Sequence, residues 1–194
     1  MCGRYYLNLE IDDIMKRYGI FDLDIDFSPK NEIFPSQESI VVIGQNTKEI
    51  KLLKWGFAPS FTKRLIINAR SETVDKKPTF RDSFIRRRCI IPANGFFEWE
   101  NNENKSIKRR IRLKDNSIFS IAGIYNTFKD KNGEYFEAFT ILTTEANKDI
   151  SRIHNRIPVI IHKDKEDMWL DHDIKDLRLL KELMKSYKGE LVVE

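Results

Sequence analysis

The stretch SIFSIAGIYNTFKDKNGEYFEAFTILT, residues 117–143, decides the fold class of this sequence. It contains two runs rich in apolar, aromatic and β-branched residues, 117–125 and 135–143, with the polar turn sequence DKNG at 130–133 between them. Such runs on either side of an Asn-Gly turn are typical of a β-hairpin. The sequence therefore predicts two neighbouring strands here, and a fold in which β-structure dominates.

Similar short runs occur along the rest of the chain and predict further strands. They lie at 39–44, 51–57, 89–92 and 107–113, and residues 191–193 resemble the start of another. Turns separate them, and no repeat or linker interrupts the pattern. We therefore expect one domain, residues 1–194, with mixed or antiparallel sheets in a barrel-like α+β arrangement.

Helices are expected at the two ends of the chain. A helix over 9–18 is predicted from its apolar face, with Asn8 as the N-cap and Gly19 as the stop. Later helices are predicted at 164–170 and 174–187. The last of these has one shared apolar face: Leu177, Leu180, Leu183 and Met184.

Composition excludes several classes of protein. No 18-residue apolar run and no secretory signal is present, so we expect a cytoplasmic protein, nucleoid-associated in a bacterium, with no membrane contact. Cys2 and Cys89 lack paired spacing, which indicates free thiols in a reducing compartment. The three histidines have no metal-binding pattern, so neither a metal nor a cofactor is expected. A net charge of +4 permits a polyanionic partner, and we expect a monomer.

The sequence begins Met1-Cys2-Gly3-Arg4, and removal of Met1 would leave Cys2 with a free α-amine beside its thiol. Both groups titrate close to neutral pH. Together they can trap an aldehyde, because the amine forms a Schiff base and the thiol then closes a five-membered ring. Alternatively, the amine can act as a base for a nucleophilic thiolate. The simpler interpretation is that Cys2 merely follows the start codon.

Three other segments carry candidate catalytic groups. Asn68 and Arg70 point the same way if their segment is extended, although they would also suit a structural pair. Glu98 lies among aromatic residues that would raise its pKa, as a general acid or base requires, unless it only pairs with a lysine on a strand edge. His154 is flanked by arginines and is the best proton-transfer candidate, or else a core histidine. Trp55 is more readily explained as a core residue than as a platform for base stacking.

Seven motifs appear in an order typical of one family: MCGRY, WGFAP, NARSET, a phenylalanine seven residues after its threonine, RRCIIPANGFFEW, FTILTTEAN and IHNRIPVII. On these residues the chain resembles the SOS response-associated peptidase (SRAP) family from residue 2 to about 187. The resemblance implies recognition of abasic sites in single-stranded DNA and covalent crosslinking to them. It also implies induction by DNA damage and contact with replication or repair proteins.

The family's site residues carry over by position. The resemblance implies that Cys2 forms a thiazolidine with the sugar aldehyde, that Asn68 holds the terminus and the sugar, and that Glu98 moves protons. His154 would assist opening of the sugar ring.

The same resemblance implies a set of DNA contacts. Arg4, Arg70 and Arg156 would grip phosphates, and the segment 55–61, which begins at Trp55, would wedge against the bases. Phe61 stands at the tip, where relatives more often have tryptophan. Lys77 would replace a basic residue that relatives often carry at the position of Pro78.

Two other functions remain open on the residues alone. One is a hydrolase with a terminal nucleophile, either an amidohydrolase or a thiol peptidase built from Cys2 and His154. The other is a module that binds single-stranded DNA through its arginines without bonding to it.

Overall fold

The computed structural model describes residues 2–21, 25–44, 47–102 and 105–194. Met1, whose removal the sequence predicts, lies outside this part of the chain. The strands are β1 (Tyr5–Leu7), β2 (Lys30–Ile33), β3 (Glu38–Ile43), β4 (Glu49–Trp55), β5 (Asn68–Arg70), β6 (Arg88–Ala93), β7 (Gly95–Asn102), β8 (Lys105–Leu113), β9 (Phe119–Lys129), β10 (Tyr135–Glu145), β11 (Arg156–Pro158), β12 (Ile160–Ile161) and β13 (Leu191–Val193). The helices are α1 (Ile11–Tyr18), α2 (Pro78–Arg86), α3 (Glu166–Leu170), which follows a 3₁₀ turn, and α4 (Leu177–Leu183).

The larger sheet closes on itself. Strands β10, β4, β3, β6 and β9 pair in that order, and β9 pairs back with β10. The β9–β10 hairpin places Tyr135 opposite Lys129, as the turn sequence predicts. Strands β4 and β5 both run parallel to β10, whereas the other pairs in this sheet are antiparallel. The predicted α+β, barrel-like fold is therefore confirmed.

The second sheet holds the beginning of the chain. Its order is β13, β8, β7, β1 and β2, so β1 lies between two partners. Tyr5 pairs with Phe96 of β7 on one side and with Ile33 of β2 on the other. Because β1 is hydrogen-bonded to a strand on each edge, the N-terminal segment is held in place, as a site built on the N-terminus requires.

Trp55 belongs to the core where the two sheets meet. Its indole is fully buried, stacks on Phe139 at 6.3 Å between ring centroids, and meets the edge of Tyr5 at 5.1 Å. Its Nε1 donates to the carbonyl of Ile67 at 3.0 Å, in the residue before β5. The interpretation of Trp55 as a core residue is therefore confirmed, and the prediction that Trp55 contacts DNA bases is wrong. The ring instead supports the strand that carries Asn68.

The helices differ from the predictions in three places. Asn8 does not cap α1, because the helix begins later and Glu10 occupies the N-cap position. The N–H of Asn8 donates to Asn94 Oδ1 at 2.8 Å. Helix α2 was not predicted, although Pro78 begins it and its apolar face is buried. In α4 only the later part of the predicted face is buried, and Leu177 remains 41% exposed.

The described residues contain neither a membrane-spanning helix nor a metal-binding cluster. No helix among them is long and apolar enough to cross a membrane. They also contain no group of three or more histidine, cysteine or acidic side chains placed to hold a metal ion.

Candidate active site

Strand pairing places the N-terminal residues beside Glu98. The N–H of Phe97 in β7 donates to the carbonyl of Arg4 at 2.9 Å, next to the pair of Tyr5 and Phe96. Because these strands are antiparallel, the chain preceding Arg4 runs along β7 towards Glu98. Cys2 is fully buried there, and its thiol donates to the carbonyl of Arg4 at 3.7 Å.

Asn68 holds Cys2 from the other sheet. Strand β5 runs parallel to β10, with Asn68 opposite Ile141, and the side chain of Asn68 crosses to the terminus. Its Nδ2 donates to the Cys2 carbonyl at 2.8 Å, a bond that spans 66 residues of sequence. The Oδ1 atom of the same amide is buried and has no hydrogen-bond partner among the described residues. One end of the Asn68 amide therefore fixes Cys2, and the other end remains an open acceptor.

The electrostatics around Cys2 favour protonated groups. Burial raises the pKa of the Cys2 thiol, and the negative charge of Glu98 raises it further. The Glu98 side chain is itself buried, at 2% exposed, and burial raises its pKa. Arg109, which lies opposite Glu98 in the ladder, pairs with Glu100 at 2.7 Å. The basic residue opposite Glu98 is therefore bound to a different carboxylate, and the Glu98 carboxyl lies in the protein interior.

His154 lies in a groove of about 580 Å³ next to this cluster. Arg70 and Arg156 line the same groove, and Arg70 lies two residues after Asn68 on β5. The N–H of Arg156 donates to Nδ1 of His154 at 2.9 Å. Burial lowers the pKa of His154, whereas a hydrogen bond with the Arg156 backbone raises it and the charge of Arg156 lowers it. The Arg156 carbonyl lies 3.2 Å from the same Nδ1, so both backbone groups of Arg156 orient the ring, and the lowered pKa favours a neutral imidazole at pH 7.

Arg156 forms an ion pair that motif analysis did not predict. Its Nη1 and Nη2 donate to the two carboxylate oxygens of Glu72 at 2.6 and 3.0 Å, and Nη2 also donates to the carbonyl of Thr143 at 2.6 Å. Glu72 belongs to the NARSET motif, two residues after Arg70. The acidic side chain of Glu72 so close to Arg70 was the available signal.

Arg4 directly precedes β1, and its guanidinium lies between two aromatic rings. Its guanidinium carbon is 4.1 Å from the centroid of Phe34 and 5.1 Å from that of Trp99. Nη1 donates to Glu32 at 3.1 Å, and about a third of the side chain remains exposed. Phe34 and Trp99 were not predicted as partners of Arg4, because the contact joins three segments that are distant in sequence.

The two remaining predicted DNA contacts are exposed. Phe61 is 72% exposed in the loop between β4 and β5, and Lys77 is exposed immediately before α2. Neither side chain forms a hydrogen bond, ion pair or ring contact with the described residues. Both are therefore accessible to a ligand.

Comparison with known proteins gives matches over nearly the whole chain. The abasic site processing protein YoqW of Bacillus subtilis is 36% identical over 200 residues, which cover 98% of this chain and 89% of YoqW. The abasic site processing protein YedK of Escherichia coli is 27% identical and covers 90% of this chain, with 81% of YedK aligned.

A solved structure and a family profile agree with these matches. The crystal structure of a protein from Bacteroides thetaiotaomicron has a TM-score of 0.87 at 25% identity, covering 99% of this chain and 91% of that one. The profile described as SOS response associated peptidase (SRAP) matches residues 1–194. This chain belongs to the SRAP family.

Proposed function

We propose that this protein processes abasic sites in single-stranded DNA, and that it does so by bonding covalently to the sugar aldehyde through Cys2. The observation that carries the proposal is the hydrogen bond from Asn68 Nδ2 to the Cys2 carbonyl, with buried Glu98 beside it. The names of the relatives, which are abasic site processing proteins, support the substrate class.

The reaction begins once Met1 has been removed. Hydrolysis of the Met1–Cys2 bond frees the α-amine next to the thiol. The amine attacks the aldehyde of the ring-opened sugar to give a carbinolamine. Protonated Glu98 then donates its proton to the departing hydroxyl, which leaves as water, and the carbinolamine becomes an iminium ion. The raised pKa of Glu98 suits this step, because the carboxyl holds its proton at a higher pH than a solvated glutamate does.

The same carboxylate completes the second step. Glu98 takes the proton of the Cys2 thiol as the sulfur adds to the iminium carbon, which closes a thiazolidine and leaves its nitrogen neutral. The carboxyl is thereby returned to its protonated form. A stable ring protects the strand, because an open imine would permit β-elimination and cleavage.

Asn68 and His154 act on the sugar. We assign the buried Oδ1 of Asn68 to a sugar hydroxyl or to the new amine, because it is an acceptor without a partner among the described residues. His154 exchanges a proton with the ring oxygen when the sugar opens, and the contacts of its Nδ1 with the Arg156 backbone orient the ring for this step. A neutral imidazole at pH 7 suits this proton exchange.

DNA binding needs no base recognition. Arg4, Arg70 and Arg156 contact phosphates, with Lys77 as a further cation, and such contacts are independent of sequence. Exposed Phe61 stacks on a base beside the lesion, which every base permits. Selectivity comes from the lesion, because an ordinary nucleotide has no aldehyde.

Intact-mass measurement tests the proposal. The purified protein is incubated with a single-stranded oligonucleotide that carries one abasic site, beside the variant Cys2→Ser. We expect loss of Met1 and then a mass increase equal to the oligonucleotide less water, stable to denaturation and absent in the variant. A processed terminus without an adduct would favour the peptidase or the non-covalent binding module. An unprocessed Met1 would contradict the mechanism.

A further inference from the structure

The second sheet contains a basic strand that the proposed mechanism does not use. Strand β8 carries the run Lys108-Arg109-Arg110, and β7 pairs with it so that Trp99 lies opposite Lys108 and Phe97 lies opposite Arg110. Successive side chains of a strand point to opposite faces of the sheet. Lys108 and Arg110 therefore share one face. Arg109 lies on the other face, with Glu98.

Lys108 and Arg110 each lie over an aromatic ring of a neighbouring strand. Nζ of Lys108 is 4.2 Å from the centroid of Phe97, and the guanidinium carbon of Arg110 is 4.3 Å from the centroid of Tyr6. The two basic side chains are 35% and 47% exposed. The rings thus hold both cations on the sheet, while the charged groups stay accessible to a ligand.

Arg4 extends this row of cations towards the candidate active site. Its guanidinium lies 5.1 Å from the centroid of Trp99, which is opposite Lys108. Glu32 joins the two cations, because one carboxylate oxygen accepts from Arg4 Nη1 at 3.1 Å and the other accepts from Lys108 Nζ. We call Arg4, Lys108 and Arg110 the cationic face.

The basic groups of this face outnumber the carboxylates that contact them. Arg4 and Lys108 share one carboxylate, and Arg110 and Arg112 share another, because both lie within 4.0 Å of Glu194. Burial lowers the pKa of Lys108, and the positive charge of Arg4 lowers it further. A further anion on the face would relieve this repulsion between cations.

We propose that the cationic face binds backbone phosphates of the single strand on one side of the lesion, and that Glu32 competes with these phosphates for Arg4 and Lys108. This inference rests on the function proposed above. It extends the DNA contact from the lesion onto β8, whose basic residues have no role in the covalent reaction.

Continuity with the candidate active site identifies the ligand as DNA. Arg4 is two residues from Cys2, and the Cys2 thiol donates to the Arg4 carbonyl at 3.7 Å. Strand β7 separates β1 from β8, so β8 lies about 10 Å from β1, and Lys108 and Arg110 are about 7 Å apart along β8. A DNA strand whose lesion is held at Cys2 can therefore run past Arg4 to the other two cations. Contacts of this kind are made to the backbone and read no sequence.

The decisive variants are Lys108→Gln and Arg110→Gln, alone and combined, with Glu32→Gln to test the competition. The matched control is Arg109→Gln, which removes the same charge from the adjacent residue on the opposite face, where Arg109 pairs with Glu100 at 2.7 Å. Thermal unfolding verifies that every variant remains folded.

Fluorescence anisotropy measures the Kd for single-stranded oligonucleotides that carry one tetrahydrofuran abasic analogue. This analogue has no aldehyde and forms no adduct. One oligonucleotide has a long flank on the 5′ side of the analogue and a short flank on the 3′ side, and a second has the reverse. The Kd is followed over a range of salt concentrations.

We expect an effect with one of the two oligonucleotides, the one whose long flank crosses the cationic face. There each substitution in β8 should reduce the slope of log Kd against log salt by about 0.7, and the combined variant by about 1.4. Between about 50 and 200 mM salt, the wild type should then lose about sevenfold more affinity than the combined variant. Arg109→Gln should keep the wild-type slope, and Glu32→Gln should bind more tightly than the wild type.

Three results would overturn the proposal. The combined variant could keep the wild-type slope with both oligonucleotides, in which case an acidic protein surface is a better ligand for this face than DNA. Arg109→Gln could reduce the slope as much as Arg110→Gln, which would show an effect of net charge alone. Unchanged or weaker binding by Glu32→Gln would contradict the competition with phosphate.

The outcomes also separate this inference from the proposed function. Because the tetrahydrofuran analogue cannot react, the salt slopes test the cationic face even if the wild-type protein forms no adduct with a true abasic site. Normal adduct formation together with unchanged slopes in the β8 variants would overturn the cationic face and leave the covalent mechanism intact.

Discussion

The bond between Asn68 and Cys2 gives the sharpest prediction for the proposed mechanism. The Asn68 amide donates at 2.8 Å to a carbonyl of a fully buried residue. Asn68→Ala leaves that carbonyl without its donor, which costs about 1–3 kcal/mol. If this cost falls on the transition state and not on the bound complex, the rate of adduct formation falls by a factor of about 5 to 150, because 1.4 kcal/mol corresponds to tenfold.

Asn68→Asp should be slower than Asn68→Ala. An aspartate carboxylate has the shape of the amide but only accepts hydrogen bonds, so it would repel the Cys2 carbonyl. Its charge would also add to that of Glu98 near the terminus. Replacing the amide by a charge of the wrong sign thus has a larger effect than deleting it.

Asn94→Ala is the matched control. Asn94 also forms a 2.8 Å hydrogen bond to the backbone, but its partner is the exposed N–H of Asn8. Single-turnover rates at saturating oligonucleotide are read on denaturing gels, and urea unfolding measures stability. We expect the control to react at the wild-type rate. A folded Asn68→Ala within twofold of wild type would refute the assignment of Asn68 as the group that holds the terminus.

Four further predictions follow from the site. Glu98→Gln should slow adduct formation by about 10² to 10⁴-fold while the protein stays folded; a wild-type rate would remove Glu98 from the mechanism. Arg70→Gln should reduce the salt dependence of non-covalent binding, log Kd against log salt, by about 0.7, whereas an unchanged slope would argue against a phosphate contact. Phe61→Ala should weaken the free energy of binding to single-stranded DNA by about 1–3 kcal/mol, as measured by titration. Trp55→Ala should instead lower the free energy of unfolding by about 3–5 kcal/mol, as measured by urea melts. A loss of binding in Trp55→Ala and a loss of stability in Phe61→Ala would reverse the two assignments. Burial lowers the pKa of His154 in the folded state, so the neutral imidazole contributes to stability above the ordinary pKa of about 6.5, and this contribution is lost as the pH falls below that value. In this acidic range the Tm of His154→Gln should therefore decline less than the Tm of the wild type. Parallel Tm curves would contradict the lowered pKa.

The sequence predicted the strands best where turn chemistry and apolar runs agreed. The hairpin around 130–133 and the strands β3, β6 and β8 were found because each is a continuous run bounded by turn residues. Strands β1 and β2 were missed, since short strands carry little periodic signal and are fixed by their partners. Helix α2 was missed because the signal is a single Pro78 and two aromatic residues one turn apart.

The site could be predicted as a set of residues but not as an arrangement. Cys2, Asn68, Glu98 and His154 were named as candidates from their chemistry, and the family resemblance supplied their roles, which remain predictions. Their order along the chain gave no information that Asn68 bonds the Cys2 backbone, or that the Arg156 backbone contacts Nδ1 of His154. Both contacts use backbone atoms, which are the same in every residue and leave no sequence pattern.

The protonation states around Cys2 also explain why a trapping reaction fits this site better than hydrolysis. A thiol peptidase needs a thiolate, and its cysteine has a lowered pKa. Here burial and Glu98 raise the pKa of Cys2, and burial raises that of Glu98. Formation of a thiazolidine from a neutral amine, an aldehyde and a thiol releases only water and needs no net proton. A buried site that keeps the Cys2 thiol protonated therefore suits the proposed ring closure, in which Glu98 removes the thiol proton only as the sulfur adds to the iminium carbon.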